Sequence, residues 1–167
     1  MKSLKIMAFN ILINRIISGQ FFENKIRIKV LKKLGINIDK NSSVSNHYWF
    51  NGNNVSIGKN VYINEFCYFD TADKIRIEDN VFIGMHTHFI TSTHKIGNKE
   101  KRAGENRNRG IYVGKGSWIG GRSTILPGSY ISEGCIIGGG TTIRGFIPPN
   151  SLVVNGDLNM KEINESA

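Results

Sequence analysis

The chain has 167 residues, a length typical of one domain, with 40% hydrophobic and 21% charged residues as in soluble globular proteins. Its 19 glycines against 3 prolines indicate many tight turns. The formal net charge is +9: residues 1–40 have nine basic and two acidic side chains, residues 95–110 have six and two, and the remainder has seven and nine. A nucleic-acid surface needs basic and aromatic residues interleaved along one groove, so we predict no nucleic-acid partner.

Residues 4–34 are predicted to form a helix in two pieces that ends at Gly35. Apolar residues recur at helical spacing in two stripes, which are Ile6, Phe9, Ile13 and Ile16 or Ile17, then Ile26, Val30 and Leu34. We interpret residues 1–35 as an amphipathic cap, because a repeat fold leaves an open edge of backbone donors and acceptors. A compatible interpretation is a peripheral membrane anchor, since the segment is basic and carries Phe21 and Phe22.

From residue 36 onward, apolar residues recur every six positions. The series is Ile38, Val44, Phe50, then Ile57, Ile63, Phe69, then Ile77, Ile83, Phe89, and finally Val113, Ile119, Ile125, Ile131, Ile137 and Ile143. A period of six predicts a parallel β-helix of triangular coils, with one inward apolar residue on each of three faces. We predict five coils over residues 36–149 and a C-terminal extension over 150–167. An antiparallel barrel would require period-two alternation instead.

Two smaller features complete the repeat. Cys67 and Cys135 each stand four residues after an apolar position, in a slot that serine and threonine fill elsewhere, so we interpret them as buried filler. Residues 95–110 interrupt the series between the third and fourth predicted coils, with 16 residues that lack apolar periodicity. We predict a long protruding loop there, and we favour a functional loop because its excess positive charge suits an acidic ligand.

The repeat unit resembles that of the hexapeptide-repeat acyltransferases, Ile-Gly-x-x-small-x, at residues 57–62 and 113–118. Over about residues 36–155 the chain is most similar to the maltose, galactoside and surface-polysaccharide O-acetyltransferases. The matching residues are Asn64, Thr91-Ser92-Thr93-His94, Trp118-Ile119-Gly120-Gly121, Ile125-Leu126-Pro127-Gly128, Ile137-Gly138-Gly139-Gly140 and Ile147-Pro148-Pro149-Asn150. The usual family tail Gly-Asn-Pro-Ala-Lys is replaced by the sequence Asn-Gly-Asp-Leu-Asn at 155–159.

The resemblance implies a left-handed β-helix that acts as a homotrimer, with acetyl-CoA in the cleft between neighbouring prisms. It also implies an acetyl-CoA-dependent O-acetyltransferase that modifies a sugar hydroxyl of a surface polysaccharide or glycan intermediate, without a metal. His94 matches the family's general base, a role that suits histidine near neutral pH, and the transfer is direct. Acceptor binding is implied for Asn64 and, with one residue of uncertainty, for Asp70, although either side chain could simply complete a corner turn.

The candidate cofactor-binding residues are Trp118, Gly120, Gly121, Gly139, Arg144 and Lys161. The resemblance implies that Trp118 flanks the pantetheine arm, although a packing role in the trimer is equally compatible. The backbone N–H of Gly120 is a candidate donor to the developing oxyanion. Arg144 and Lys161 are candidates for CoA phosphates because of their charge and position near the C-terminal end.

Two other functions use a similar fold. A zinc hydratase of the γ-carbonic-anhydrase type would need three histidines, two of them five residues apart, and His47, His86, His88 and His94 do not show this spacing. A non-catalytic scaffold would bind no CoA. For the transferase we expect a cytoplasmic location, with the basic N-terminal segment at the inner face of the membrane.

Overall fold

Two helical segments precede the repeat in the computed structural model, which describes residues 2–155 and 161–162. They are helix α1 (Lys2–Ile11), a π-helix that continues it (Leu12–Ile17) and helix α2 (Asn24–Lys33). Ile13 and Ile17 are buried, as the first predicted stripe requires. The second predicted stripe is only partly correct, because Leu34 packs against the core but Ile26 is 48% exposed. The buried residues of α2 are Arg27, Ile28 and Leu31.

The burial of Arg27 has a specific cause. Its guanidinium donates to the carbonyl oxygens of Ile17 (3.2 Å), Val44 (2.7 Å), Gly19 (3.0 Å) and Phe22 (2.9 Å), and to Oδ1 of Asn46 (2.6 Å). Three of these carbonyls belong to the end of the π-helix and the turn after it, where the chain leaves acceptors without helical partners. A buried cation with a full set of acceptors therefore joins the helices to the first coil.

Two asparagine side chains close the open edge of the solenoid. Asn14 donates from Nδ2 to the carbonyl of Phe50 and accepts from its N–H, both at 2.9 Å. Asn24 donates to the carbonyl of Ser42 (3.1 Å) and accepts from the N–H of Val44 (3.0 Å). Each amide group thus takes the place of a missing neighbouring strand. The N-terminal helical segments thus contact the backbone of the first coil.

In the described part of the chain twenty short strands follow, and seventeen of them form three parallel faces. Face A consists of β1 (Asn37–Ile38), β4 (Val55–Ile57), β7 (Ile75–Ile77), β12 (Ile111–Val113), β15 (Tyr130–Ile131) and β18 (Phe146–Ile147). Face B consists of β2 (Ser43–Val44), β5 (Tyr62–Ile63), β8 (Phe82–Ile83), β13 (Trp118–Ile119), β16 (Ile136–Ile137) and β19 (Ser151–Val153). Face C consists of β3 (Trp49–Phe50), β6 (Tyr68–Asp70), β9 (His88–Ile90), β14 (Thr124–Ile125) and β17 (Thr142–Ile143). The chain visits the faces in the order A, B, C, so it turns at an AB, a BC and a CA corner in every coil.

The parallel solenoid is confirmed, but it has about six turns and not the five predicted. Faces A and B are visited a sixth time by β18 and β19, and β20 (Lys161–Glu162) pairs antiparallel with β19. The spacing from Ile143 to Ile147 is four residues, with Gly145 at a φ of 83° between them. A count in steps of six therefore ends one turn too early, and the solenoid extends past residue 149.

The core is three columns of inward side chains, one for each face. On face C the rings of Phe50, Phe69 and Phe89 stack at centroid distances of 4.6 and 4.9 Å, and Ile125 and Ile143 continue the column. All five side chains are at most 1% exposed. Burial of each such side chain contributes about 1.5–3 kcal/mol, so these columns are the main source of stability.

The small residues occupy the inner corners, as predicted. The hydroxyl groups of Ser123 and Ser129 donate to the carbonyls of Gly120 and Leu126, both at 2.7 Å. Cys67 is fully buried, and burial raises the pKa of its thiol to about 12. Such a thiol stays protonated at neutral pH, which fits the interpretation as filler.

The insertion between the third and fourth coils is not an irregular loop. Strands β10 (His94–Ile96) and β11 (Ala103–Asn106) form an antiparallel hairpin. Nearly all residues of these two strands are exposed. A hairpin that is solvated on both faces has no alternation of apolar and polar residues, so the sequence pattern does not indicate it. The hairpin projects from the CA corner.

Candidate functional site

The backbone that leads to His94 is held by a buried carboxylate. Asp70 is 5% exposed, and its Oδ2 accepts from the N–H groups of Thr91 (3.1 Å) and Ser92 (2.8 Å) and from the Ser92 hydroxyl (2.5 Å). Its Oδ1 accepts from the N–H of Ala72 at 3.4 Å. Asp70 therefore connects the second coil to the segment that becomes the hairpin.

The environment of Asp70 keeps it ionised. Burial by itself raises the pKa of this carboxyl, but the hydrogen bonds from Ser92, Ala72 and Thr91 outweigh it, so the pKa lies below its ordinary value. With both oxygens engaged inside the chain, Asp70 holds the backbone in place. Its predicted contact with an acceptor stays a prediction.

Backbone hydrogen bonds join the segment before His94 to the segment that follows the hairpin. Thr93 and Arg107 exchange backbone hydrogen bonds of 3.1 and 2.7 Å, and the N–H of Arg109 donates to the carbonyl of Thr91 at 2.9 Å. His94 is exposed, and its Nδ1 lies 3.0 Å from the carbonyl oxygen of Gly104. A carbonyl oxygen only accepts, so Nδ1 carries the proton of the neutral ring. Nε2 is then the unprotonated nitrogen, which is the form a general base requires.

A cavity of about 330 Å³ opens beside His94. Its walls come from the hairpin and from the CA corners of the later coils, and they consist of Thr93, His94, Lys95, Ile96, Arg107, Arg109, Leu126, Pro127, Gly128, Arg144 and Gly145. The predicted cofactor residue Arg144 is thus in the same cavity as the predicted base. The sequence does not predict the convergence of three arginines beside His94, since Arg144 lies 50 residues after the histidine.

Four other predicted residues lie at the BC corner, which are Asn64, Gly120, Gly121 and Gly139. Asn64 follows β5, and its Oδ1 accepts from the N–H of Glu65 at 2.8 Å. Glycines occupy this corner in later coils because successive corners approach closely. A Cβ on Gly120 would lie 2.5 Å from the nitrogen of Gly139, and one on Gly84 would overlap the backbone of Gly121. Packing between coils alone thus accounts for glycine at these positions.

One predicted role at this corner is wrong. The N–H of Gly120 donates to the carbonyl of Ile137 at 2.7 Å as part of face B, so it is not free to hold an oxyanion. Within residues 2–155, the N–H of Gly121 has no hydrogen-bond acceptor in range. Of the two neighbouring glycines, Gly121 and not Gly120 keeps its N–H free among the described residues, a distinction that depends on the register between coils.

Trp118 lies on the outer side of face B and is 52% exposed. It stands between Phe82 and Ile136 in the strand register, and Tyr62 and Phe82 stack at 4.8 Å in the same outer column. This position is compatible with the pantetheine contact and with packing against another subunit. Lys161 belongs to β20, whose side chains lie outside the described residues, as does most of the tail at 155–159, so their predicted roles stay predictions.

Within one chain Asn64, one of the two predicted acceptor residues, is at a different corner from the predicted base, whereas Asp70 holds Ser92, two residues before His94. His94 and Arg144 are at the CA corner, whereas Asn64, Gly121 and Gly139 are at the BC corner, on the other side of face C.

Two further features concern metals and membranes. In the described part of the chain, no three side chains of the His, Cys, Asp or Glu type come close enough to hold a metal ion. His47 and His86 stack on either side of Phe66 at 4.9 and 4.8 Å. Across residues 2–155 and 161–162, no helix is both long and apolar enough to cross a bilayer.

The chain is similar to known proteins in sequence and in structure. The family model of the bacterial transferase hexapeptide (six repeats) matches residues 110–145. A protein of Staphylococcus haemolyticus (strain JCSC1435) that is named an acetyltransferase is 37% identical over 131 residues, which cover 78% of this chain and 67% of that protein. An acetyltransferase-named protein of Staphylococcus aureus (strain COL) is 44% identical over 103 residues, or 62% of this chain. The chain spans about half the length (52%) of this second relative.

Two solved structures are similar over nearly the whole chain. The maltose O-acetyltransferase from Clostridium difficile 630 has 27% identity and a TM-score of 0.76, covering 97% of this chain and 86% of that one. A galactoside acetyltransferase in complex with coenzyme A has 25% identity and a TM-score of 0.80, covering 98% of this chain and 80% of that one.

Proposed function

This chain belongs to the hexapeptide-repeat family of bacterial transferases, and we propose that it moves an acetyl group from acetyl-CoA to a sugar hydroxyl. Support comes from the similar structures, which include a maltose O-acetyltransferase and a galactoside acetyltransferase bound to coenzyme A. We propose a surface polysaccharide or a glycan intermediate as the acceptor, and acetyl-CoA as the co-substrate.

The observation that carries the proposal is the hydrogen bond from Nδ1 of His94 to the carbonyl of Gly104 (3.0 Å) beside an open cavity. Nε2 takes the proton of the sugar hydroxyl as the oxygen attacks the thioester carbonyl. The C–S bond then breaks, and the imidazolium returns its proton to the CoA sulfur. The ring starts and ends neutral, and no covalent enzyme intermediate forms.

We propose that the active site forms between subunits of a left-handed, trimeric β-helix. The CA corner of one chain would supply His94, and the BC corner of its neighbour would supply Asn64 for the acceptor and the N–H of Gly121 for the oxyanion. The separation of these residues within one chain supports this arrangement. The outer aromatic column around Trp118 would then lie near the pantetheine arm.

Thiol release from acetyl-CoA tests the proposed reaction, with monosaccharides, nucleotide sugars and oligosaccharides as acceptors. His94→Gln should lower kcat by about 10²- to 10⁴-fold, the usual contribution of a general base, and leave CoA binding intact. His88→Gln, an exposed histidine on face C, is the matched control. Full turnover by His94→Gln would refute the role of His94. Absence of CoA affinity in calorimetry would favour the scaffold, and stoichiometric zinc would favour the hydratase.

We also propose that the N-terminal cap lies against the inner face of the cytoplasmic membrane. Met7, Ile11 and Ile16 are half-exposed on the side of the first helical segment away from buried Ile13, and Phe21 is 98% exposed. Exposed lysines on α2, which are Lys25, Lys29, Lys32 and Lys33, would face anionic headgroups.

Sedimentation with vesicles tests this proposal. The chain should bind vesicles that contain phosphatidylglycerol more strongly than pure phosphatidylcholine, and Ile11→Ser with Phe21→Ser should weaken that binding by about tenfold. Ile96→Ser, which removes an exposed apolar residue of the hairpin, is the control. Equal binding to both vesicle types, or none, would contradict the proposal.

A further inference from the structure

The cavity beside His94 is strongly cationic. Lys95, Arg107, Arg109 and Arg144 line it, and no acidic side chain does. The ammonium group of Lys95 is paired with Glu105 at 2.6 Å. In contrast, among residues 2–155 the three arginines make no salt bridge.

The arginines reach this cavity from two segments of the chain. Arg107 and Arg109 are two residues apart in a segment that is hydrogen-bonded to the backbone of Thr91 and Thr93, and both line the cavity. The stem of Arg109 passes over Gly128, where an added Cβ would lie 3.0 Å from Cδ of the arginine. Arg144 comes from the CA corner after β17. The convergence is therefore a product of the fold and not of a local basic run.

Three like charges around one cavity repel each other unless an anion is present. The guanidinium group matches carboxylate and phosphate groups, to which it donates two parallel hydrogen bonds. A charge pattern of this kind predicts a ligand with such a group. A neutral sugar can accept hydrogen bonds through its hydroxyl groups, but it leaves the three positive charges unbalanced.

We infer that the acceptor is an anionic sugar, which carries a carboxylate or a phosphate near the hydroxyl that is acetylated. This inference rests on the proposed function. In acetyl-CoA the whole pantetheine arm separates the thioester from the phosphates, so an anion beside the base His94 belongs to the acceptor. Arg144, first a candidate for CoA phosphates, is on this basis an acceptor-binding residue.

Matched acceptors test the inference in the thiol-release assay with the full chain. The set is methyl glucoside, methyl glucuronide and glucose 1-phosphate, together with the corresponding galactose series. A carboxylate or phosphate should raise kcat/KM by about 10- to 100-fold over the neutral sugar, the size expected for charge-assisted hydrogen bonds. Comparison of the uronide with the 1-phosphate shows whether a carboxylate or a phosphate is preferred.

Variants identify the residues responsible. Arg107→Gln and Arg144→Gln should each raise KM for the preferred charged acceptor about tenfold and leave KM for acetyl-CoA within about twofold. Arg76→Gln, an exposed arginine on face A, is the control. A raised KM for acetyl-CoA with an unchanged KM for the acceptor would overturn the inference. If the variants distinguish acetyl-CoA from acetyl-dephospho-CoA less well than the wild type does, the arginines bind a CoA phosphate. That result would overturn the inference as well.

A binding experiment separates this inference from the proposed function. Calorimetric titration with methyl glucuronide and glucose 1-phosphate should show tighter binding than with methyl glucoside, and Arg144→Gln should remove the difference. This result supports the inference even if none of the sugars is acetylated. In that case only the proposed reaction is refuted, and the preference for an anionic sugar stands. Equal binding of charged and neutral sugars overturns the inference whether or not acetyl transfer is observed.

Discussion

The BC and CA corners of the solenoid differ in how much variation they tolerate. At the BC corner the step between inward residues is six residues in every coil, from Val44–Phe50 to Ile137–Ile143. At the CA corner the same step takes seven, eight, twenty-four, six and four residues in turn. All length variation of the repeat is therefore at the corner that carries His94. The number of residues thus varies only at the corner where neighbouring coils do not constrain the backbone.

The physical basis is the distance between successive coils. At the BC corner the backbone of one coil contacts that of the next, so that Gly84 faces Gly121 and Gly120 faces Gly139. An inserted residue there would break contacts on both sides. At the CA corner the chain can leave the prism and return, and the hairpin β10–β11 does so with its own hydrogen bonds.

The largest expected effect is that of Gly84→Ala at the BC corner. The new Cβ would overlap the backbone of Gly120 and Gly121, which cannot move without displacing the next coil. We expect a loss of about 3 kcal/mol in the free energy of unfolding, at the upper end for an overpacked site. Urea denaturation at fixed protein concentration measures it. A loss below about 1 kcal/mol would show that the corners are not tightly packed.

Asp70→Asn should have the next largest effect. The amide cannot replace an acceptor that receives two N–H groups and a hydroxyl, so we expect a loss of about 2 kcal/mol. Because its pKa is lowered in the folded chain, Asp70 stabilises the protein above its unfolded-state pKa of about 3.9, and this contribution disappears as the pH falls. The difference in stability between wild type and variant should therefore be constant near neutral pH and shrink below about pH 4.

Gly116→Ala, at the AB corner, should have a smaller effect and is the matched control for Gly84. Gly116 has a φ of 71° and open space around its Cα, so only the left-handed backbone opposes a side chain. We expect a loss of about 1 kcal/mol. Denaturation midpoints compare the two variants directly, and equal losses would mean that backbone conformation, and not contact between coils, explains the glycines.

Shortening the hairpin should change stability least. Replacement of residues 97–102 by Asn-Gly would join Ile96 to Ala103, which are already paired, through a favoured two-residue turn. We expect the free energy of unfolding to change by no more than about 0.5 kcal/mol. Thermal denaturation measures this change. Thiol release should fall if the tip reaches a neighbouring active site. A large loss of stability would show that the CA corner is as constrained as the BC corner.

Much of the fold could be predicted because its core pattern is local. Val113, Ile119 and Ile125 repeat every six residues, so the position of each in the series indicates its face. His94 stood out because it follows the last regular strand before the interruption. Arg27 could not be identified as a buried residue, since its acceptors belong to other segments up to 19 residues away. The sequence alone does not show that the N–H of Gly120 is engaged, because its acceptor, the carbonyl of Ile137, lies in the next coil.

The sequence by itself determined the repeat, the inward residue of each face, the cap and the histidine at the interruption. Tertiary structure decided the sixth turn, the hairpin, the edge contacts of Asn14 and Asn24, and the placement of Asn64 and His94 at different corners. The reason is the range of the interactions. Side-chain burial in a β-helix repeats along the chain, whereas hydrogen bonds and charge clusters depend on which residues the next coil places beside them.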